Sequence, residues 1–152
     1  MNTSENTFPT AMGGLKVLEI SSMVSGPFCG KLLASLGAEV IKIEPPKTGD
    51  PSRRRGPFPG DVPHPERSGM FLYLNTGKKS ITLNLDDRKG WEILWELTGQ
   101  VDVLAHDLSP SRATELGIGQ ERLAEGRPDL IATAITPYGS TGPYSEYVAN
   151  DV

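Results

Sequence analysis

Basic side chains cluster in one part of an otherwise acidic chain. The 152 residues include 15 Lys and Arg against 19 Asp and Glu, which gives a formal net charge of −4 at pH 7. Guanidinium and ammonium groups pair with phosphate oxygens, so a local cluster of them predicts a clamp for a phosphorylated ligand. A solvated basic loop is the alternative that charge alone leaves open. The cluster consists of Lys42, Lys47, Arg53, Arg54, Arg55, Lys78 and Lys79.

A second candidate site is the loop formed by residues 22–26, which joins an apolar run to a helical pattern. A strand that leads directly into a helix leaves unpaired backbone N–H groups at the carboxyl edge of a parallel sheet, where anionic ligands commonly bind. An ordinary tight connection without a ligand fits this loop equally well. A dinucleotide-binding oxidoreductase is disfavoured because the loop contains no GxGxxG motif.

The elements around this loop form a strand, a helix and a second strand. Apolar β-forming residues make up two short runs, which consist of Val17, Leu18 and Ile20 and of Val40, Ile41 and Ile43. Ser25 is predicted to cap the first turn of the helix, and Gly37 is predicted to end it in a left-handed turn. The apolar residues of the helix recur at helical spacing, which predicts a stripe packed over both strands. These residues are Phe28, Leu32, Leu33 and Leu36.

The remainder of the chain predicts an α/β domain with a Rossmann-like parallel sheet and flanking helices. Residues 45–69 carry seven prolines and four glycines, which predicts a covering loop without helix or central strand. Further strands are expected at 80–85, 101–105 and 130–135, and helices at 86–99, at 110–116 and around Ile118 and Leu123. The carboxyl edge of the sheet should gather residues 22–25, Pro45 and Pro46, residues 106–109 and residues 136–139.

Composition limits the functional classes. The chain is long enough for one core, with residues 1–13 expected to be a flexible tail and residues 14–152 a single domain. Its net negative charge argues against nucleic-acid binding, and it contains neither a membrane span nor a signal peptide pattern. The single cysteine, Cys29, excludes an internal disulfide and makes the cytoplasm the default location. No metal and no permanently bound cofactor are predicted.

Several separated motifs together resemble family III CoA-transferases, the group that includes formyl-CoA transferase and carnitine CoA-transferase. The motifs are GLKVLEISSMVSGPFCGKLLASLGAEVIKIEPPKTGDPSR, NTGKKSITLNL, VDVLAHDLSPSRATELGIG and ITPYGSTGPYSE. The resemblance implies the N-terminal part of that family's α/β fold, built into an interlocked dimer. It also implies coenzyme A as a substrate, bound at the carboxyl edge of the sheet, with an acyl-CoA and a carboxylic acid as reactants.

The resemblance implies a set of CoA-binding residues. Leu83, Leu85 and Leu108 would form apolar walls for the adenine, and Lys47 or Arg53 would reach the phosphates. Pro45 stands where some family members have a CoA-contacting arginine, and Glu115 stands where a second arginine would meet the phosphates. Arg112, one helical turn earlier, is the predicted substitute. The CoA-binding set is Val24, Ser25, Lys78, Leu83, Leu85, Asp107, Leu108 and Arg112.

Family members are longer than this chain, and their nucleophilic aspartate lies beyond the segment that Asn150 and Asp151 resemble. In the family that carboxylate attacks the acyl-CoA thioester and passes through an anhydride to an enzyme-bound CoA thioester. The chain is therefore expected to contribute part of a CoA site without a catalytic residue. The alternative is a degenerate, non-catalytic dimerisation or regulatory domain. Glu115, an acidic residue where family members have an arginine, favours this alternative. Residues 137–152 are expected to be mobile or docked on a second chain, and the chain is expected to form a homo-oligomer or to pair with a partner chain.

Overall fold

Five parallel strands form one sheet in the order β3-β2-β1-β4-β5, as seen in a computed structural model that describes residues 10–149. The strands are β1 (Lys16–Ile20), β2 (Glu39–Glu44), β3 (Lys79–Thr82), β4 (Val103–His106) and β5 (Ile131–Ala134). The helices are α1 (Ser25–Ser35), α2 (Gly69–Asn75), α3 (Arg88–Thr98), α4 (Pro110–Glu115) and α5 (Gln120–Gly126). This architecture confirms the predicted α/β fold with a parallel sheet and flanking helices.

The core lies mainly on one face of the central strands. Leu18 of β1 is paired in register with Ile41 of β2 and Leu104 of β4. Leu18 and Leu104 are fully buried against α3 and the α4–α5 segment. Strands buried on both faces read as continuous apolar runs, which is why β1 and β2 could be located from the sequence. Within residues 10–149, no helix is both long and apolar enough to cross a membrane.

Helix α1 packs on the sheet through its smallest residues, which contradicts the predicted apolar stripe. Gly26, Pro27 and Gly30 are buried, whereas Phe28, Leu32 and Leu36 are 41%, 49% and 46% exposed. Leu33 alone among the four predicted residues packs against the core. The reason is distance, because a Cβ atom added to Gly30 would lie only 1.9 Å from Oε2 of Glu19. The backbone of α1 therefore approaches the sheet more closely than large side chains allow.

The start of α1 also differs from the prediction, while its end agrees. Val24 occupies the N-cap position without a side-chain hydrogen bond, and Ser25 is the first helical residue. Ser25 therefore does not cap the helix as predicted. Gly37 has a φ of 102°, the left-handed conformation that was predicted for the residue ending the helix.

Two predicted strands have different bounds. The strand expected at 80–85 covers only residues 79–82 and is exposed at the edge of the sheet. Leu83 and Leu85 follow it and pack partly buried against the core. The strand expected at 101–105 begins at Val103 and includes His106, because its register is set by pairing with β1.

The covering loop contains more regular structure than its prolines suggested. Two short 3-10 turns, Pro51–Arg54 and Pro59–Asp61, each begin with a proline, a position that needs no backbone N–H. Helix α2 begins at Gly69, the last residue of the covering loop, and was not predicted. Ser68 begins it by accepting a hydrogen bond from the backbone N–H of Phe71 at 3.1 Å.

The two ends of the described chain also contact the domain. Residues 11–14 form a turn, and the N–H of Met12 donates to the carbonyl of Leu36 at 2.9 Å. The Glu146 carboxylate accepts hydrogen bonds from the backbone N–H and hydroxyl of Ser111 at 3.0 and 2.8 Å. The segment up to residue 149 therefore contacts α4 of its own chain through Glu146, and the expected docking of this tail on a second chain stays a prediction. Asp151 lies outside the described residues.

We predict that Gly30→Ala destabilises the fold by at least about 2 kcal/mol, because the new methyl group must displace the buried carboxylate of Glu19. This loss should exceed the gain of up to about 1 kcal/mol in helix propensity that alanine brings. Urea unfolding followed by circular dichroism measures the difference. Ser35→Ala, at an exposed position of the same helix, is the control and should change stability by less than about 0.5 kcal/mol. Equal stability of Gly30→Ala and the unmodified chain would contradict the close packing described for α1.

Candidate functional site

A cleft of about 810 Å³ lies at the carboxyl ends of β1 and β4. These two strands are paired in parallel, with Ile20 opposite His106, so the loops that follow them lie side by side. This placement agrees with the predicted gathering of residues 22–25 and 106–109 at one edge. The cleft is lined by Ser22, Met23, Val24, Ser25, Arg55, Asp107, Leu108, Ser109, Ile135, Thr136, Pro137, Ser145, Glu146, Tyr147, Val148 and Ala149.

Asp107 joins the two loops directly. Its Oδ2 atom accepts a hydrogen bond from the backbone N–H of Ser22 at 2.7 Å. Burial raises the pKa of Asp107 above its ordinary value, and the hydrogen bonds from Ser22 and the nearby charge of Lys42 only partly oppose this. The carboxylate therefore fixes the shape of the cleft floor and is held in a poorly solvated position.

The covering loop is tied to the first loop by a buried carboxylate. Asp50 Oδ1 accepts from the backbone N–H of Met23 at 3.2 Å and from that of Ser52 at 2.8 Å. Met23 has a φ of 58°, a left-handed conformation that is uncommon for residues other than glycine. Such conformations persist where the surroundings impose them and are frequent at functional sites. The contact with Asp50 holds this turn in place.

Lys42 connects these groups inside the protein. Its Nζ atom lies 2.9 Å from Oδ2 of Asp50 and 3.0 Å from Oε1 of Glu19, and it donates to the Ser21 carbonyl at 2.6 Å. Lys42 is 1% exposed and Glu19 is fully buried. A buried charge of this kind is tolerated only when it is paired and hydrogen-bonded. Lys42 therefore positions the loop and cannot serve in the predicted phosphate clamp.

Lys78 is likewise turned inward. Its Nζ atom donates to Oε2 of Glu19 at 2.7 Å, to the carbonyl of Pro27 at 2.8 Å and to the side chain of Asn75 at 3.0 Å. Burial lowers the pKa of Lys78, although the charge of Glu19 acts in the opposite direction. Lys78 was predicted to bind CoA, but the structure places its ammonium group beneath α1 and away from the cleft lining.

Arg53 is also committed to an internal pair. It forms two hydrogen bonds to Glu44, from Nε to Oε2 at 2.7 Å and from Nη2 to Oε1 at 2.8 Å. Its guanidinium carbon lies 3.6 Å from the ring centre of Phe71. Burial alone would raise the pKa of Glu44, but hydrogen bonds from Arg53, Ser80 and the Asp50 amide lower it to about 2. Arg53 does not line the cleft, and its predicted phosphate contact stays a prediction.

Three of the predicted residues beyond β3, namely Leu83, Leu85 and Arg112, do not line the cleft. Leu83 and Leu85 pack against the core, and Arg112 donates to the Leu85 carbonyl at 2.8 Å and to the carboxylate of Asp86. Arg112 also pairs with Glu115 at 3.0 Å. Arg112 is thus held at the surface of α4 by two carboxylates, and Glu115 is directed at Arg112. The structure brings together four of the eight predicted CoA-binding residues, namely Val24, Ser25, Asp107 and Leu108.

Sequence reasoning missed the contribution of the covering loop and of residues 145–149 to this cleft. Arg55 belongs to the predicted basic cluster, but no sequence pattern separates it from its two arginine neighbours. A second cavity of about 610 Å³ lies between α4, α5 and β5, and His106 lines it. Burial lowers the pKa of His106, which favours the neutral ring. The described residues contain no cluster of three or more His, Cys, Asp or Glu side chains placed to hold a metal ion.

Comparison with known proteins gives a consistent result. The model of CoA-transferase family III matches residues 12–152. Acetyl-CoA:oxalate CoA-transferase from Acetobacter aceti is 41% identical over 138 residues, which cover 91% of this chain and 34% of the relative. Succinyl-CoA:glutarate CoA-transferase from Homo sapiens is 40% identical over 139 residues, which cover 91% of this chain and 31% of the relative. The chain thus spans about a third of the length of these relatives.

A solved structure shows the same architecture. The crystal structure of a CAIB/BAIF family protein from Brucella suis superposes with a TM-score of 0.82 at 34% sequence identity. The match covers 95% of this chain and 38% of that protein.

We predict that the fold loses stability as pH falls from 6 to 3, in part through Glu44. Because its folded pKa of about 2 lies below the ordinary value of 4.5, its ionised form stabilises the fold above about pH 4.5, and that stabilisation is lost as pH falls toward 2. Asp50, whose pKa is also lowered, acts in the same direction. Urea unfolding at several pH values should show that Glu44→Gln is less stable at pH 6 and declines less on acidification.

The control for this experiment is Glu92→Gln, which removes an exposed pair with Arg88. Its pH dependence should match that of the unmodified chain, since exposed pairs contribute little. An unchanged acid slope in Glu44→Gln would show that the pair with Arg53 does not stabilise the fold.

Proposed function

Because the chain belongs to CoA-transferase family III, we propose that its cleft binds the CoA portion of an acyl-CoA for transfer of CoA to a carboxylic acid. One observation carries the proposal: the family motifs point to Val24, Ser25, Asp107 and Leu108, and all four line one cleft at the carboxyl ends of β1 and β4. This edge is where open parallel sheets commonly bind ligands. The names of the relatives supply the reaction class, in which CoA passes from a thioester to an acid.

The chain contributes part of the site under this proposal. Leu108 and the apolar part of Val24 offer surfaces for the adenine or the pantetheine arm, while backbone and hydroxyl groups of the first loop face the same cleft. The carboxylate that attacks the thioester belongs to the part of the family's length that this chain does not cover, so the 152 residues alone should not turn over acyl-CoA. The proposal is supported by the aligned fraction, since the chain matches about a third of the length of its relatives.

A calorimetric titration of the 152-residue chain with CoA tests the proposal. Saturable binding is expected, and Val24→Trp should weaken it at least about tenfold, a loss of about 1.4 kcal/mol, because the indole would fill the cleft. Val62→Trp is the matched control, since Val62 is exposed on the covering loop and does not line the cleft. Absence of saturable binding, or equal affinity in the Val24→Trp variant, would refute the proposed site.

The exposed face of α1 favours a second role in association. Val24, Phe28, Leu32 and Leu36 recur every four residues along α1, and each is at least 37% exposed. Leu72 and Tyr73 of α2 are 54% and 59% exposed, and α2 packs next to α1. Exposed apolar surface of this extent usually marks an interface. We therefore propose that the α1–α2 face associates with a second chain, most simply another copy in a homo-oligomer.

Sedimentation velocity at several protein concentrations tests this association. The unmodified chain should sediment as a dimer or larger species, and the double variant Phe28→Ser/Leu32→Ser should shift toward the monomer, because it removes apolar area from the face. Val62→Ser, which changes an exposed apolar residue elsewhere, should leave the distribution unchanged. If the unmodified chain sediments as a monomer at all concentrations, the proposed interface is refuted.

A further inference from the structure

Arg55 is the single cationic residue among those that line the cleft. Its guanidinium makes no ion pair or side-chain hydrogen bond with any group in residues 10–149. The lining contains two carboxylates, those of Asp107 and Glu146, and the phenol of Tyr147. Both carboxylates are already bound to protein groups, Asp107 to Ser22 and Glu146 to Ser111. Arg55 is thus left with its donors directed to a cleft and to solvent.

The backbone of Arg55 is fixed although its side chain is exposed. Its N–H donates to the Ser52 carbonyl at 3.0 Å, and its own carbonyl accepts a hydrogen bond from the buried hydroxyl of Ser68. Ser52 is in turn tied to Asp50, which holds the first loop through Met23. The position of Arg55 relative to Val24 and Ser25 is therefore set by buried contacts, and only the side chain has to be ordered when a ligand binds.

The other candidate cations are used elsewhere. Lys42 and Lys78 pair with Glu19, Arg53 pairs with Glu44, and Arg112 pairs with Asp86 and Glu115. Arg54, next in the chain, donates to the Thr48 carbonyl at 2.9 Å and does not line the cleft. Lys47, which was also suggested for the phosphates, is exposed and does not line the cleft.

We propose that Arg55 binds a phosphate group of CoA and supplies the positive charge that the cleft otherwise lacks. A guanidinium presents two parallel N–H donors that match two phosphate oxygens, and such charge-assisted pairs are among the stronger hydrogen bonds in proteins. Pro45 and Glu115 carry no positive charge at the two positions where arginines were expected. The inference rests on the proposed CoA site and adds the residue that selects the phosphorylated part of the ligand.

The test compares Arg55→Gln with Arg54→Gln, the matched control one residue earlier. Calorimetric titrations of the 152-residue chain use CoA, dephospho-CoA and pantetheine as ligands. Arg55→Gln should weaken CoA binding about tenfold or more and leave pantetheine binding unchanged, because pantetheine has no phosphate. Arg54→Gln should bind all three ligands like the unmodified chain. Thermal unfolding of both variants checks that the fold is intact.

Dephospho-CoA, which lacks the 3′-phosphate, identifies the phosphate that Arg55 contacts. If Arg55 binds the diphosphate, its substitution should weaken the binding of dephospho-CoA as much as the binding of CoA. If it binds the 3′-phosphate, dephospho-CoA should bind the variant and the unmodified chain equally. Either result supports the inference.

Two outcomes would overturn the inference alone. Saturable CoA binding that is unchanged in Arg55→Gln would show that another group meets the phosphates. Equal losses in Arg55→Gln and Arg54→Gln, or a matching loss of pantetheine affinity, would show that the effect is general to the loop. Absence of CoA binding to the unmodified chain would instead remove the proposed function and this inference together.

Discussion

The buried lysine of β2 is the constraint on which the rest of the structure depends. Lys42 lies between Glu19 on the neighbouring strand and Asp50 on the covering loop, and it is 1% exposed. Transferring such charges from water costs several kcal/mol for each ion unless they are paired and hydrogen-bonded. Each partner must therefore stay in place, and three separate segments are locked to one another. The network fixes relative positions as much as it contributes to stability.

Helix α1 has to adapt to this network. The Glu19 side chain lies beneath the helix and also accepts a hydrogen bond from Lys78. The helix can therefore approach the sheet closely only at residues that have no side chain. Gly30 meets that requirement above Glu19, and Gly26 does the same above Ser21. The larger apolar residues turn outward as a consequence. The exposed face of α1 is thus a direct result of burying charge below it. A helix seated on an apolar sheet would have turned the opposite face inward.

The same network shapes the cleft. Asp50 holds the left-handed turn at Met23, and Asp107 holds the N–H of Ser22, so two carboxylates set the start of the first loop. The proteins that this chain resembles act on CoA thioesters, whose phosphates need positive charge. In this chain Lys42, Arg53 and Lys78 neutralise internal carboxylates instead of facing the cleft. The location of charge, and not its amount, limits what the cleft can bind.

The amino-acid sequence by itself determined the α/β class, the central strands, the left-handed end of α1 and the family, because these depend on local patterns and on motifs in order. It also placed Val24 and Asp107 at one edge, since parallel strands end on the same side of a sheet. Only the tertiary structure decided which face of α1 is buried, because that depends on Glu19, eleven residues earlier than Gly30 and on another element. It likewise decided which basic residues face the cleft. The sequence does not distinguish Arg55 from the paired cations Lys42, Arg53 and Lys78. Whether a cation is paired depends on carboxylates that only folding brings within 4 Å.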